Sequence, residues 1–282
     1  LVGGSMKKEF TLEFYGRKIV VETGWLAKQA NGSCLVRYGD TVVLTASVMG
    51  KTEITQDFFP LQVLYQEKLY SVGKIPGGFI KREGRPTDEA TLAARIIDRP
   101  LRPMFDENLR QEIQVVNTVL SVDQDNSPVM TALLGSSLSL GISEIPFDGP
   151  VSGVVVGKVG KEFIINPTVE ELENSCLNLT VAGTKDAICM VEAGAHECSE
   201  KQMLDAIMFG HEAIKKLCAF QEEIIKEIGK EKVLVYSATL DEELENLVKE
   251  YAYDNLVKAI QIKDKLASYE KVEEIKDETM GH

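Results

Sequence analysis

The chain reads as an α+β protein, and three observations carry that reading. Short segments whose apolar residues alternate with period two are mixed with longer segments of helical spacing. Over the first ~235 residues the two kinds do not follow the strict strand–helix–strand rhythm of a parallel α/β fold. The composition then shifts near residue 238: from Asp241 to His282 the pattern is helical, with twelve acidic against six basic side chains. At roughly 150 residues per domain, 282 residues suggest about two domains.

Residues 10–24 are expected to form a hairpin that turns at Gly16 and closes at Gly24. A second hairpin pairs Cys34–Tyr38 with Thr41–Thr45, and its two-residue Gly39-Asp40 loop suits a type II′ turn. Thr87 reads as a helix N-cap, with Asp88 and Glu89 favourable in the first turn. Leu92 and Ile96, with Ala93 and Ile97, form the expected buried stripe of that helix, and Pro100 its expected stop. Ile113–Val122 has strand character, whereas Val129–Ile142 is apolar, rich in small residues and expected to be a buried helix. Val151–Ile165 alternates through glycines as a further hairpin, and Leu177–Ala182 and Ile188–Glu192 read as paired strands around Gly183-Thr184. Ser199 and Gln202 make a capping box for a helix whose apolar face holds Met203, Ile207, Ile214 and Leu217. Val233–Tyr236 reads as short and extended. Thr239 and Glu242 form a second capping box, followed by Leu240, Leu244, Leu247, Val248 and Tyr251 at helical spacing. Asp277–His282 carry no stop signal beyond Gly281, so a piece of a longer protein is expected.

A hydrophobic share of 44 % supplies enough material for a core. No apolar run approaches the ~18–20 residues of a membrane span and no signal-peptide pattern opens the chain, so no membrane association is expected. Leu1–Ser5 read as a tag remnant, with Met6 the natural start. The five cysteines, at 34, 176, 189, 198 and 218, are odd in number and lack Cys-x-x-Cys spacing, which fits a reduced, cytoplasmic protein. A net charge of −13 argues against coating duplex nucleic acid over the whole surface. It leaves room for a local site, because charges beyond a Debye length of about 8 Å are largely screened.

Such a site is visible between Lys74 and Arg102. Seven basic residues (Lys74, Lys81, Arg82, Arg85, Arg95, Arg99 and Arg102) stand against four acidic ones, a local balance of +3 on an acidic protein. The loop Gly77-Gly78-Phe79-Ile80-Lys81-Arg82-Glu83-Gly84-Arg85, flanked by Pro76 and Pro86, offers one aromatic ring and three cations. Single-stranded nucleic acid uses that combination: a ring to stack a base, at about 1–3 kcal/mol each, and cations to hold phosphate. The same composition also admits an ordinary charged loop with Phe79 folded into the core. Arg95 and Arg99, at i and i+4, share a helix face, with Arg102 just beyond; three guanidiniums in eight residues suit phosphate, and equally suit pairing with Asp98, Glu83 or the acidic first turn.

Other constellations carry less. Gly135-Ser-Ser-Leu-Ser139 could present Ser136 and Ser137 to an anion, but close helix packing explains it as well. His196-x-Cys198 with Cys189 is too sparse for zinc, which wants four organised ligands. His211 has no nucleophile nearby in sequence, and there is no Walker loop or Gly-x-Ser-x-Gly elbow.

Leu26-Ala-Lys-Gln-Ala-Asn-Gly-Ser, Val36-Arg-Tyr-Gly-Asp-Thr-Val-Val, Gly73 to Phe105, Val181-Ala-Gly-Thr and Ser199 onward together resemble the polynucleotide phosphorylase (polyribonucleotide nucleotidyltransferase) family, over essentially all of residues 6–282. The resemblance implies two RNase PH-like cores in one parent chain, separated by an all-helical domain and followed by KH and OB-fold domains. It implies a cytoplasmic enzyme of mRNA degradation that shortens RNA from the 3′ end by phosphorolysis, with inorganic phosphate as co-substrate and Mg²⁺ as cofactor. It also implies a homotrimer around a central channel, with partners in an RNA-degradation complex. This chain would supply the first core, as residues 6–145 and 146–238, and the truncated start of the helical domain, 239–282.

In the family the catalytic aspartates lie in the second core, before a Val-Ala-Gly-Thr-like turn. The matching positions here fall at Leu172 and Asn178, and the adjacent lysine position at Thr180. Leucine cannot bind Mg²⁺ and asparagine offers one neutral oxygen, so no catalytic residue and no metal are expected in this half. That also counts against a single-core RNase PH-like enzyme. A purely non-enzymatic RNA-binding scaffold, or an RNA-independent structural protein, stands as the remaining alternative. In the family's channel loop two aromatics precede two arginines. Here Ile80 replaces the second ring and Lys81 the first arginine, which removes one stacking platform and one bidentate fork. Phe79, Lys81, Arg82 and Arg85 would guide single-stranded RNA, and Arg95, Arg99 and Arg102 would support the loop or touch phosphate.

Overall fold

The structure is a computed structural model that describes residues 7–53, 58–79, 84–234 and 241–281. It comprises two compact units, Leu1–Val235 and Tyr236–His282.

The larger unit is α+β and has two sheets. Strands β1 (Lys8–Phe14) and β2 (Arg17–Thr23) pair antiparallel. Tyr15 and Gly16 between them both have positive φ, 49° and 78°, the combination a type I′ hairpin turn requires. β3 (Gly32–Tyr38) and β4 (Thr41–Glu53) follow; in their loop Gly39 is at φ 58° while Asp40 is not left-handed, as the type II′ expectation demands. β5 (Leu61–Glu67) precedes helix α1 (Asp88–Leu101) and strand β6 (Gln111–Ser121), and β5 and β6 run parallel. The first sheet has the order β1-β2-β3-β4-β6-β5. Helix α2 (Pro128–Ile142) leads to β7 (Ser152–Val159), β8 (Glu162–Ile165), the short helix α3 (Val169–Glu173), β9 (Leu177–Gly183) and β10 (Ile188–Ala195). These strands form an antiparallel sheet of order β10-β9-β7-β8, and helix α4 (Glu200–Ile228) packs on it.

Helix α2 holds the unit together. It packs against β3, β4 and β6 of one sheet and β7 of the other, and every residue from Met130 to Ile142 is buried. Leu134 and Leu138 join Val36, Val154, Leu179 and Ile214, while Leu133 and Leu140 join Ile97, Ile113 and Val115. A helix apolar on all sides is the sequence counterpart of that position. Its hydroxyls bind protein groups. Ser136 Oγ donates to Asn117 Oδ1 at 3.0 Å, Ser137 Oγ accepts from Val151 N–H at 2.8 Å, and Ser139 Oγ meets Ser47 Oγ at 2.5 Å. Gly135 lies where a Cβ would press on Thr45 Oγ1. Close packing, rather than an anion, thus accounts for Gly135–Ser139.

Helix α1 departs from expectation in two respects. Its buried face is Ala93, Ile97, Pro100 and Leu101, and Leu92 is 55 % exposed. Ala93 and Ile97 are buried as expected and Ile96 packs half-buried beside them, so the face that meets β5 and α2 leaves only the Leu92 edge of the expected stripe in solvent. Pro100 lies inside the last turn instead of ending the helix. A proline there forfeits one backbone donor, while Arg102 N–H still bonds Asp98 O and a 3₁₀ turn, Arg102–Met104, carries the chain on. The N-cap is as expected: Thr87 Oγ1 accepts from Ala90 N–H at 3.1 Å. The Ser199–Gln202 capping box of α4 is present in both directions. At 233–234 there is no strand, and Val235 and Tyr236 lie outside the described residues.

The smaller unit is a pair of helices, α5 (Glu242–Ile260) and α6 (Lys265–Gly281), packed through Ala252, Ala259 and Ile275. Asp241 caps α5 by accepting from Glu243 and Leu244 N–H, whereas Thr239 and Leu240 lie outside the described residues. Leu244, Leu247, Val248 and Tyr251 are exposed, so the buried face of α5 is the small-residue one.

The thiols sort by depth. Cys34 and Cys218 are buried, and burial pushes each thiol up to about 12, whereas Cys189 is exposed on β10. A thiol reagent at about pH 8 is expected to label Cys189 first and to leave Cys34 and Cys218 unmodified until the chain unfolds. A peptide map after timed labelling checks this; early labelling of Cys34 would contradict the burial.

Candidate nucleic-acid interface

The basic loop springs from a 3₁₀ turn, Leu69–Val72, closed by Gly73 at φ 69°. Gly73, not Gly78, takes the left-handed conformation here; a Cβ on Gly78 would face open space. Beyond it Ile75 is 92 % and Phe79 83 % exposed, and Lys74 is exposed beside them. Leaving a phenylalanine in water instead of burying it forfeits about 1.5–3 kcal/mol, so a large exposed ring on a glycine- and proline-rich loop asks for a ligand. Lys81 and Arg82, with Ile80 and Glu83, lie outside the described residues. Arg85 is exposed where the chain returns to Thr87 and lines a cavity of about 630 Å³ with Lys68, Glu67 and Tyr65.

Helix α1 presents its three arginines to a second groove, of about 1060 Å³. They are held differently. Arg102 makes a two-pronged ion pair with Asp98, Nε–Oδ2 2.9 Å and Nη2–Oδ1 2.7 Å, and donates to the carbonyls of Phe59 and Leu61. Its guanidinium also lies 5.8 Å from the Phe59 ring centre. A cation with that many partners clamps α1 to the strand β5 that follows Phe59. Arg99 has one ion pair, Nη1–Glu192 Oε2 at 2.9 Å, between side chains that are each about half exposed. Exposed pairs of this kind are worth about 0–1 kcal/mol, so a phosphate group can compete for Arg99. Arg95 is exposed on the same wall.

The groove also includes Arg110, Phe58 and Phe105, residues the sequence analysis did not single out. Phe58 is 57 % exposed. Phe58 and Arg110 come from segments about forty residues away on one side and eight on the other, joined to α1 only by folding. The pair Phe58-Phe59 and the arginine after Phe105 were the available signals.

The positions Leu172, Asn178 and Thr180 come together in a third cavity, of about 250 Å³, with Asn166, Ser127 and Asp125. Asp125 is its single carboxylate, and Oδ1 of that group accepts from Val169 N–H at 3.3 Å. Arg17 braces the wall by donating to Asp125 O, Asn126 Oδ1 and Asn166 O. Among the described residues no three His, Cys, Asp or Glu side chains gather. Mg²⁺ dehydrates reluctantly and is held through carboxylates, so one leucine, one amide, one hydroxyl and one engaged carboxylate do not fit it.

Comparison with known proteins adds to this geometry. Residues 15–146 match the first domain of the 3′ exoribonuclease family, and residues 149–213 its second domain. This chain belongs to the 3′ exoribonuclease family. Within the family it is 57 % identical over 278 residues to the polyribonucleotide nucleotidyltransferase of Bacillus licheniformis, covering 99 % of this chain and 39 % of that protein. It is 56 % identical over 274 residues to the enzyme of the same name from Bacillus subtilis, and 56 % identical over 276 residues to that of Listeria welshimeri. The chain thus spans about two-fifths of the length of these relatives. Two solved structures share the fold: rice (Oryza sativa) Rrp46, with a TM-score of 0.58 at 15 % identity over 79 % of this chain and 96 % of that one, and an archaeal exosome core, with 0.55 at 17 % over 77 % and 87 %. The RNase PH-like fold expected from the sequence is the one observed. In this 3′ exoribonuclease family member the basic loop and α1 belong to the first matched domain, and Leu172, Asn178 and Thr180 to the second. Among the described residues no helix is long and apolar enough to cross a membrane.

Proposed function

We propose that this chain is the RNA-holding, catalytically silent core of a polyribonucleotide nucleotidyltransferase, a phosphorolytic 3′-to-5′ exoribonuclease. The observation that carries the reading is Phe79, 83 % exposed on a loop rich in cations. The ring stacks a base, Lys81, Arg82 and Arg85 hold the adjoining phosphates, and Arg95 and Arg99 offer a second phosphate contact, while Arg102 sustains α1. Leu172, Asn178 and Thr180 line a cavity of the kind that cleaves RNA elsewhere in the parent polypeptide, without its chemistry. Inorganic phosphate and Mg²⁺ act in that other core. Three chains surround a channel in the cytoplasm, so that one strand meets several loops and weak contacts add through avidity.

The test uses this chain with labelled poly(A), phosphate and Mg²⁺. Binding is expected at low salt. With about three phosphate contacts, a fourfold rise in salt lowers affinity by roughly 20-fold. No nucleoside diphosphate is released. Steady diphosphate release would overturn the silent-core reading, and salt-independent binding would overturn the phosphate contacts.

A further inference from the structure

The thiols of Cys176 and Cys198 lie 3.6 Å apart, the one thiol–thiol contact of hydrogen-bonding length among the described residues. Both are half-buried and neither is in a disulfide. We propose that they are a redox site: under oxidation they close a reversible disulfide that links the residue before β9 to the residue before the N-cap of α4.

The backbone already holds the two in register. Cys176 N–H bonds Lys158 O at 3.2 Å, and Cys176 O accepts from His196 N–H at 2.9 Å and from the Cys198 thiol at 3.4 Å. Glu197 turns the loop back onto Cys176 at φ 52°, left-handed for a residue with a side chain. A bonded pair sits at about 2.05 Å, so closure asks each sulfur to move by less than about 1 Å, which a small χ1 rotation supplies. The other thiols are placed differently. Cys34 and Cys218 are buried against the carbonyls of Gly135 and of Pro150 and Gly183, and Cys189 is exposed on β10. The closed loop would contain the whole β9–β10 hairpin, including Asn178, Thr180 and the Arg99 partner Glu192.

The oxidant is a peroxide or a low-molecular-weight disulfide. With hydrogen peroxide, one thiolate attacks a peroxide oxygen and becomes a sulfenic acid as hydroxide leaves. The second thiolate attacks that sulfur, forming the S–S bond and expelling the sulfenic oxygen as hydroxide. Two electrons pass to the peroxide, and the two thiol protons complete two waters. Burial and the neighbouring Cys176 hold the Cys198 thiol above its ordinary value, so closure quickens as pH rises.

The experiment treats the chain with hydrogen peroxide, alkylates what remains, and maps tryptic peptides. Cleavage after Lys161, Lys185 and Lys201 puts Cys176 and Cys198 on separate peptides, and Cys189→Ser removes the one ambiguous thiol. Expected are a Cys176–Cys198 cross-link in both the unsubstituted and Cys189→Ser chains, two of the four thiols of Cys189→Ser lost to alkylation in denaturant, and full reversal by dithiothreitol. A midpoint of thermal unfolding raised by about 5 °C should accompany the cross-link and be absent from Cys176→Ser and Cys198→Ser. Recovery of Cys176 and Cys198 as free thiols or as sulfinic acids, with only Cys189 consumed, would overturn the proposal. Fragment ions that place the bond on Cys198 and not on Cys189, which shares its peptide, let the unsubstituted chain decide even where a serine variant fails to fold.

Discussion

Phe79→Ala combined with Lys81→Ala in the full-length protein is expected to weaken binding of long single-stranded RNA by about 10- to 100-fold. One lost stacking contact is worth about 1–3 kcal/mol, and each 1.4 kcal/mol is tenfold. Removing the lysine deletes a phosphate contact and should flatten the salt dependence by about 0.7 of a unit in the logarithmic slope. Processivity is expected to fall with affinity, because a strand that dissociates between cycles must be recaptured. The turnover rate on oligonucleotides too short to reach the loop is expected to stay unchanged, since on the proposed reading the loop touches no reacting atom. Filter binding and single-turnover digestion of long and short substrates separate these effects. Unchanged affinity for long RNA would remove the loop from the RNA path.

The largest effect on stability is expected at Asn117. Its side chain is fully buried in β6; Oδ1 accepts from Thr45 at 2.7 Å and from Ser136 at 3.0 Å, and Nδ2 donates to Leu64 O at 3.3 Å. It therefore ties β4, β5 and α2 at one point. Asn117→Ala strands two hydroxyls and a carbonyl without partners, at about 1–3 kcal/mol for a buried polar group left unsatisfied, and adds a small cavity. A loss of roughly 3 kcal/mol and a drop of about 6–12 °C in the unfolding midpoint are expected. Ser136→Ala removes one donor and should cost about 1 kcal/mol. If Asn117→Ala cost no more than Ser136→Ala, the network would not be the tie described.

Where local chemistry decides the outcome, the amino-acid order was informative. The Tyr15-Gly16 and Gly39-Asp40 turns, the Thr87 cap, the Ser199–Gln202 box and the apolar run of α2 all stand where their residues put them. Misreadings arise where a partner element decides. Of the stripe expected on α1, Ala93 and Ile97 are buried and Ile96 packs half-buried against the core, but the surfaces of β5 and α2 leave Leu92 exposed. β5 is not legible in the sequence because its partner in the parallel pairing, β6, begins only at Gln111, 50 residues after Leu61. At the site, glycine and proline punctuation marked the loop, but composition left Phe79 open between solvent and core, and its exposure is a finding of the fold. The fate of the arginines was not legible, because Arg99 finds Glu192 and Arg102 finds the carbonyls of Phe59 and Leu61 across long stretches of chain.

Helix α2 is sealed between both sheets, while Leu172, Asn178 and Thr180 sit on a short helix and a strand at the rim of a cavity. Residues on that rim support little of the interior, so their identities can drift, or be redesigned, without toppling the architecture. On the proposed reading, such a scaffold can do without reagents of its own and serve for grip alone.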